Sequence, residues 1–142
     1  PYGVTDSAQV YLVASDIYGN QGEELSNYFS VTDNTPPTVS LNTPDDVGIS
    51  DTLLISFEAA DNTELAYHHL YYSEQVDAEF VFIDSVNAGL TTYQWIVPNF
   101  VSDQARLVVQ SFDVVNLSSS DTSDVFSVFD LIFDLKTDLH KL

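Results

Sequence analysis

Apolar and polar residues alternate along most of the chain with a period of two. In residues 52–60 every second side chain is apolar, and residues 93–97 repeat the pattern. This period is typical of β-strands with one buried face, whereas an amphipathic helix has a period of 3.6 residues. No helical stretch of comparable strength is present, so the pattern predicts an all-β protein.

Clusters of Asp, Asn, Gly and Pro separate the alternating segments at intervals of about ten residues, as turns do. Seven short strands spaced in this way are typical of two antiparallel sheets packed face to face. We therefore predict an immunoglobulin-like antiparallel β-sandwich of about seven strands over residues 38–130. The strands are expected at residues 38–41, 52–60, 66–73, 80–84, 92–97, 105–113 and 125–129.

The beginning of the chain is similar to its later part. Shifting the sequence by 97 positions aligns residues 1–33 with residues 98–130 without a gap, and ten of the 33 positions are identical. A 97-residue period matches the ~100 residues of an immunoglobulin-like domain. We interpret residues 1–33 as the C-terminal two-strand hairpin of a preceding repeat, residues 34–37 as a linker, and residues 131–142 as a tail or the start of a further segment.

Composition narrows the possible functions. The chain has 22 Asp and Glu against 3 Lys and Arg, which gives a net charge of −19. Such a charge opposes binding to nucleic acid phosphates and to anionic lipid surfaces. No apolar run is long enough to insert into a membrane. The chain has no Cys, which excludes disulfides and thiolate metal sites. The acidic composition suits a secreted or cell-surface protein.

Four oxygen-bearing side chains form the candidate metal site. Strand parity places Asp61 and Asp113 on the core face where two strands end, and both ends are expected at the pole that the chain enters after Asp33 and Asn34. Converging carboxylates repel each other unless hydrogen bonds or a cation compensate. Calcium takes six to eight oxygen ligands and fits this set. The alternative is that Asp61 and Asp113 only cap loops through Asx turns.

Other candidate chemistry is weaker. His68 and His69 are adjacent on a strand, so they point to opposite faces and a structural role is expected for both. Serine is abundant, but none lies in a Gly-x-Ser-x-Gly turn. We therefore predict no catalytic residue and no enzymatic activity. Parity places Tyr71 on the outer face as a candidate ligand-binding residue.

Several segments resemble known tandem repeats. Residues 33–37 (DNTPP) followed by residues 38–41 (TVSL) resemble the junctions between immunoglobulin-like or fibronectin type III-like repeats of bacterial surface proteins. Residues 70–73 (LYYS), 93–98 (YQWIVP) and 13–20 (VASDIYGN) are similar to other parts of such repeats. Cadherin-like repeats, which the scheme also resembles, use calcium at the junction to stiffen a rod.

The resemblance implies a non-catalytic structural spacer of a secreted or surface-anchored multidomain protein, in contact with neighbouring repeats of the same polypeptide. One alternative is an accessory carbohydrate- or protein-binding module of a secreted hydrolase. Another is a filament subunit that self-associates by strand exchange through residues 1–33.

Overall fold

The computed structural model of the chain describes residues 3–131. The chain divides into two units, Pro1–Thr35 and Pro36–Leu142. Every regular element in the described range is a β-strand, which confirms the predicted all-β class. Between residues 3 and 131 there is no helix long and apolar enough to cross a membrane. The predicted tail, residues 131–142, lies outside the described residues except for Leu131.

The first unit contains two separate two-stranded antiparallel sheets. One joins the first and fourth strands, and the other joins the second and third. Four strands therefore occur where the sequence predicted a two-strand hairpin. The first and third strands were missed because their residues, TDSA and QGEEL, lack apolar alternation. The strands are β1 (Thr5–Ala8), β2 (Tyr11–Ser15), β3 (Gln21–Leu25) and β4 (Phe29–Val31).

The second unit is a β-sandwich of two sheets. Its strands are β5 (Thr38–Leu41), β6 (Val47–Gly48), β7 (Thr52–Ala60), β8 (Leu65–Ser73), β9 (Val81–Asn87), β10 (Thr92–Ile96), β11 (Ser102–Asp113), β12 (Ser118–Thr122) and β13 (Phe126–Phe129). The smaller sheet has the order β10-β7-β5. The larger sheet has the order β6-β13-β11-β8-β9, and β12 pairs with β11 beside β13.

The long strand β11 organises the larger sheet. Along one edge it pairs with β8, and along the other its first residues pair with β13 and its last residues with β12. Along β11, buried side chains that face the core alternate with side chains that face outward. The buried Ala105, Leu107 and Val109 are at most 1% exposed. Because β11 has neighbours on both edges, its position and register are constrained from both sides.

The core lies between the two sheets of the second unit. The smaller sheet contributes Ile55, Phe57 and Trp95, which are 1%, 2% and 6% exposed, and the larger sheet contributes Leu70 and Leu107, both at 0%. At roughly 25 cal/mol per Å², burial of such side chains is the main favourable term in folding. The parity of the sequence predicted these inward positions.

Two strands of the sandwich were not predicted. Strand β12 has the sequence SSSDT and pairs with β11 without an apolar side chain, and β6 is only two residues long. The serine-rich β12 has no hydrophobic pattern, and its position depends on backbone pairing with β11. Strand β6 is too short to show a period of two, although its Val47 is buried in the core.

The two units share one strand register. All seven residue pairs that join strands in the first unit recur in the second unit at positions 97 residues later. For example, Tyr11 faces Leu25 in the first unit, and Val108 faces Thr122 in the second. The sequence offset of 97 therefore holds at the level of individual backbone partners.

Candidate metal centre

Asp113 ends strand β11 and is almost fully buried, with 2% of its surface exposed. Its Oδ1 accepts hydrogen bonds from the backbone N–H groups of Val115 (2.9 Å) and Leu117 (2.8 Å), which fold the chain into a tight corner. Within residues 3–131, the buried Oδ2 of the same carboxylate has no hydrogen-bond partner. A buried polar atom without a partner is uncommon and costly.

Asp61 lies directly after strand β7. Its Oδ2 accepts hydrogen bonds from the backbone N–H of Thr63 (2.8 Å) and from the Thr63 hydroxyl (2.7 Å). Its Oδ1 is buried and has no hydrogen-bond partner in the described part of the chain. The side chain therefore uses one oxygen for a local turn, as Asp113 does, and leaves the other unsatisfied.

The ends of β7 and β11 bring the two aspartates together. One carboxylate oxygen of Asp61 and one of Asp113 lie within 4.8 Å of each other. Both strands end at the same pole of the second unit, as expected from the predicted sandwich topology. Each aspartate also makes the Asx-type loop contact of the alternative interpretation. Loop capping and metal binding are therefore compatible, because one oxygen of each carboxylate bonds to the loop and the other is left for a cation.

The remaining predicted ligands, Asp33 and Asn34, belong to the first unit. Within that unit, Asp33 Oδ1 accepts a hydrogen bond from the backbone N–H of Thr35 at 3.0 Å. Their contribution to a site with Asp61 and Asp113 stays a prediction.

The first unit contains a corner equivalent to that of Asp113. Asp16 lies 97 residues earlier, and its Oδ1 accepts the backbone N–H groups of Tyr18 (2.8 Å) and Asn20 (2.9 Å). In both corners the residue three positions after the aspartate has a positive φ, 85° at Gly19 and 70° at Asn116. The two corners thus share a positive φ at the third position, the same backbone hydrogen bonds and the same pattern of hydrogen bonds to Oδ1.

The corners differ in how the second carboxylate oxygen is satisfied. Asp16 Oδ2 accepts a hydrogen bond from the side-chain amide of Asn20 at 2.7 Å. This bond, with those from the backbone, holds the pKa of the Asp16 carboxyl below its usual value. The position equivalent to Asn20 is Leu117, which has no donor in its side chain. The unsatisfied oxygen of Asp113 follows from this difference.

A buried histidine–serine pair lies elsewhere in the second unit. His68 is 1% exposed, and its Nδ1 lies 2.8 Å from the hydroxyl oxygen of Ser111, which is 0% exposed. The Nε2 lies 3.3 Å from the carbonyl oxygen of Ala88, so Nε2–H donates there and Nδ1 accepts from Ser111. Burial lowers the pKa of His68, because the charged form is poorly solvated. The pair lies in the core, which supports the structural role expected for His68.

Tyr71 belongs to a group of five aromatic rings on the outer face of the larger sheet. The rings of Tyr67 and Phe112 are stacked at 4.7 Å, and Tyr71 and His69 make edge contacts with Phe82 at 5.6 and 5.4 Å. The Tyr71 hydroxyl also lies 3.3 Å from His69 Nδ1. Strand parity predicted Tyr71 on the outer face but did not identify the group, although aromatic residues at alternate positions 67, 69 and 71 indicate it.

Comparison with known proteins gives no family for this chain. No protein-family model matches the sequence, and no curated protein sequence matches it.

Proposed function

We propose that the chain is part of a non-catalytic structural spacer in a secreted or surface-anchored bacterial protein, built from tandem copies of one β-sandwich domain. In this proposal, the first unit is the end of one copy and the second unit is the next copy. The observation that supports it most strongly is the recurrence of all seven strand pairs at an offset of 97 residues.

The core-facing residues of the two copies support the same proposal. In the second unit, Leu107 and Val109 of β11 face the core. Their equivalents are Val10 and Leu12, so the two residue types exchange places. The combined side-chain volume is the same in both copies, and a core tolerates such volume-conserving exchanges best.

The same residues are exposed in the first unit. Val10, Leu12 and Phe29 are 57%, 62% and 45% exposed, whereas their equivalents Leu107, Val109 and Phe126 are at most 4% exposed. In the second unit, the opposite sheet of β5, β7 and β10 covers this face. We infer that strands like these cover the first unit in the complete protein, because two-stranded sheets alone are marginally stable in water.

The linker suits a spacer with limited bending. Pro36 and Pro37 restrict φ, and semi-rigid linkers of this kind transmit orientation between domains. Pro37 is buried in the second unit, and its carbonyl oxygen accepts a hydrogen bond from the Ser119 hydroxyl. The end of the linker is therefore attached to β12.

A chimera tests whether the first unit is the end of such a domain. Residues 36–97 are fused directly before residue 1, which preserves the spacing because residue 98 corresponds to residue 1. We expect amide hydrogen exchange in Tyr11–Ser15 to be fast in the chain itself and strongly slowed in the chimera. The equivalent amides at residues 108–112 are the internal control, and they should be protected in both proteins.

The outcomes separate the proposal from its alternatives. Fast exchange in Tyr11–Ser15 of the chimera contradicts the tandem-domain proposal. Protection in the chain itself that appears only at high concentration supports a filament formed by strand exchange instead. Protection in the chain at all concentrations means that the first unit folds alone, which also contradicts the proposal.

A second measurement tests the spacer role. Small-angle X-ray scattering of polypeptides with two, three and four tandem copies should give a maximum dimension that rises by a constant increment per copy. Replacing Pro36 and Pro37 by Gly should shorten the average dimension without unfolding the domains. A compact particle whose dimension does not rise linearly contradicts the spacer function.

A further inference from the structure

We propose that the corner of the second unit formed by Asp61 and Asp113 binds calcium, and that the residue four positions after the corner aspartate determines whether such a corner needs the ion. Leu117 leaves the Asp113 corner dependent on calcium. Asn20 makes the Asp16 corner independent of it. The proposal is argued from residues of the second unit and does not depend on the spacer function.

Two observations support a ligand at this corner. First, one carboxylate oxygen of Asp61, just after β7, and one of Asp113, at the end of β11, lie within 4.8 Å of each other. One calcium ion with Ca–O distances of about 2.3–2.6 Å spans this separation. Second, only 2% of the surface of Asp113 is exposed, and its Oδ2 has no hydrogen-bond partner within residues 3–131. A bound cation removes both the repulsion and the missing interaction.

The Asp16 corner shows how the same backbone satisfies its carboxylate without an ion. The Asn20 amide donates to Asp16 Oδ2 at 2.7 Å, while both corners use Oδ1 for two backbone N–H groups. Leu117 removes this donor from the second corner. In this proposal, the Asn20 amide in the first corner and the calcium ion in the second each interact with the carboxylate oxygen that the backbone leaves without a partner.

Calcium is the cation that fits the donors. Carboxylate oxygens are hard ligands, and no Cys exists in the chain to favour a softer metal. Loops follow β7 and β11 at this corner, and calcium accepts carboxylate, carbonyl and water oxygens in variable number and geometry. Magnesium demands near-octahedral geometry and gives up its water reluctantly, so it is the selectivity control.

The experiment measures thermal unfolding of the full chain with excess chelator, with calcium and with magnesium, at matched ionic strength. Because Trp95 is the only Trp and lies in the second unit, its fluorescence reports that unit. For a dissociation constant on the order of 10⁻⁴–10⁻³ M, 10 mM calcium should raise the midpoint by roughly 5–15 °C. Magnesium should raise it much less.

Three variants test the named residues. Asp113→Asn and Asp61→Asn keep the oxygen that accepts the loop hydrogen bonds and remove the charge, so each should fold and lose most of the calcium response. Leu117→Asn supplies the amide of the first corner, so its midpoint in chelator should rise and its calcium response should shrink. Leu117→Ala is the matched control, because it removes the leucine without adding a donor and should keep the response.

Each outcome decides the proposal. Equal midpoints of the wild type in calcium and in chelator overturn it. So does a response of the same size in Asp113→Asn, or equal stabilisation by magnesium, since either result indicates general charge screening. If Leu117→Asn and Leu117→Ala respond to calcium alike, the role of the fourth residue is wrong.

Discussion

Replacing Leu107 by Ala tests how much of the stability of the sandwich comes from β11. Leu107 is 0% exposed and lies at the centre of the core, in a strand that is paired on both edges. Its backbone N–H donates to Ser123 Oγ at 3.0 Å, and its carbonyl oxygen accepts from the backbone N–H of Ser123 at 3.0 Å. The strand is therefore held in place and cannot move to fill the space that the substitution creates.

The expected loss of stability follows from this rigidity. A buried Leu→Ala replacement costs about 2.7–5.0 kcal/mol, and the larger values belong to sites where the cavity stays open. We expect about 4 kcal/mol here, which is a large part of the 5–15 kcal/mol that is typical of a folded domain. The matched control is Leu54→Ala on β7, because Leu54 is 56% exposed and undergoes the same chemical change. We expect that variant to lose less than about 1 kcal/mol.

Urea unfolding followed by Trp95 fluorescence measures both variants. Trp95 is 6% exposed, so its emission should shift to the red when the second unit unfolds. The dependence of the free energy of unfolding on urea should stay unchanged, because the exposed area is nearly the same. Similar losses for the two variants, or a loss below 1 kcal/mol for Leu107→Ala, would contradict the role assigned to the β11 core face.

Three further predictions concern individual polar contacts. Burial lowers the pKa of His68 below its usual 6.5, so the unfolded state binds the proton more readily than the folded state. The free energy of unfolding should therefore fall as the pH drops from 7 to 5. The urea midpoint of a His68→Gln variant should change less over this range. The Tyr93 hydroxyl donates a hydrogen bond to Asp84 at 2.8 Å and lowers the pKa of that carboxyl. The Tyr93→Phe substitution should therefore raise the pKa of Asp84 in an NMR titration. An unchanged pKa would refute the contact. Asn116 has a φ of 70°, which glycine adopts more easily than alanine. The Asn116→Ala substitution should therefore lower the free energy of unfolding in urea by about 1 kcal/mol more than Asn116→Gly. Both variants lose the Asn side chain, so equal losses of stability would argue against backbone strain.

The alternation of apolar residues predicted most of the sandwich. Strands β5 and β7 have the predicted bounds, and Leu70 and Trp95 face the core as expected from their parity. Periodicity works for these strands because each buries one face against the other sheet. It fails for β12, whose position depends on backbone hydrogen bonds to β11, since polar residues can make these bonds as well as apolar ones.

The candidate site was predictable in part for a similar reason. Parity placed Asp61 and Asp113 at the ends of core-facing rows, and the structure brings their carboxylates together. Sequence alone did not indicate that each aspartate uses one oxygen locally and leaves the other without a partner, because that division depends on the loop geometry. The different roles of Asn20 and Leu117 depend on which atom each side chain reaches, and the sequence pattern does not contain this information.

The position of β9 at the end of the larger sheet has a consequence for colloidal behaviour. One edge of this strand is not paired with another strand of the described chain, and Val81 and Phe82 are 48% and 53% exposed along it. Exposed edges of this kind are templates for intermolecular pairing unless charge prevents it. Electrostatic repulsion between copies, with a net charge of −19 each, supplies that protection. Acidification or concentrated salt weakens it, and the β9 edge then becomes available for intermolecular pairing.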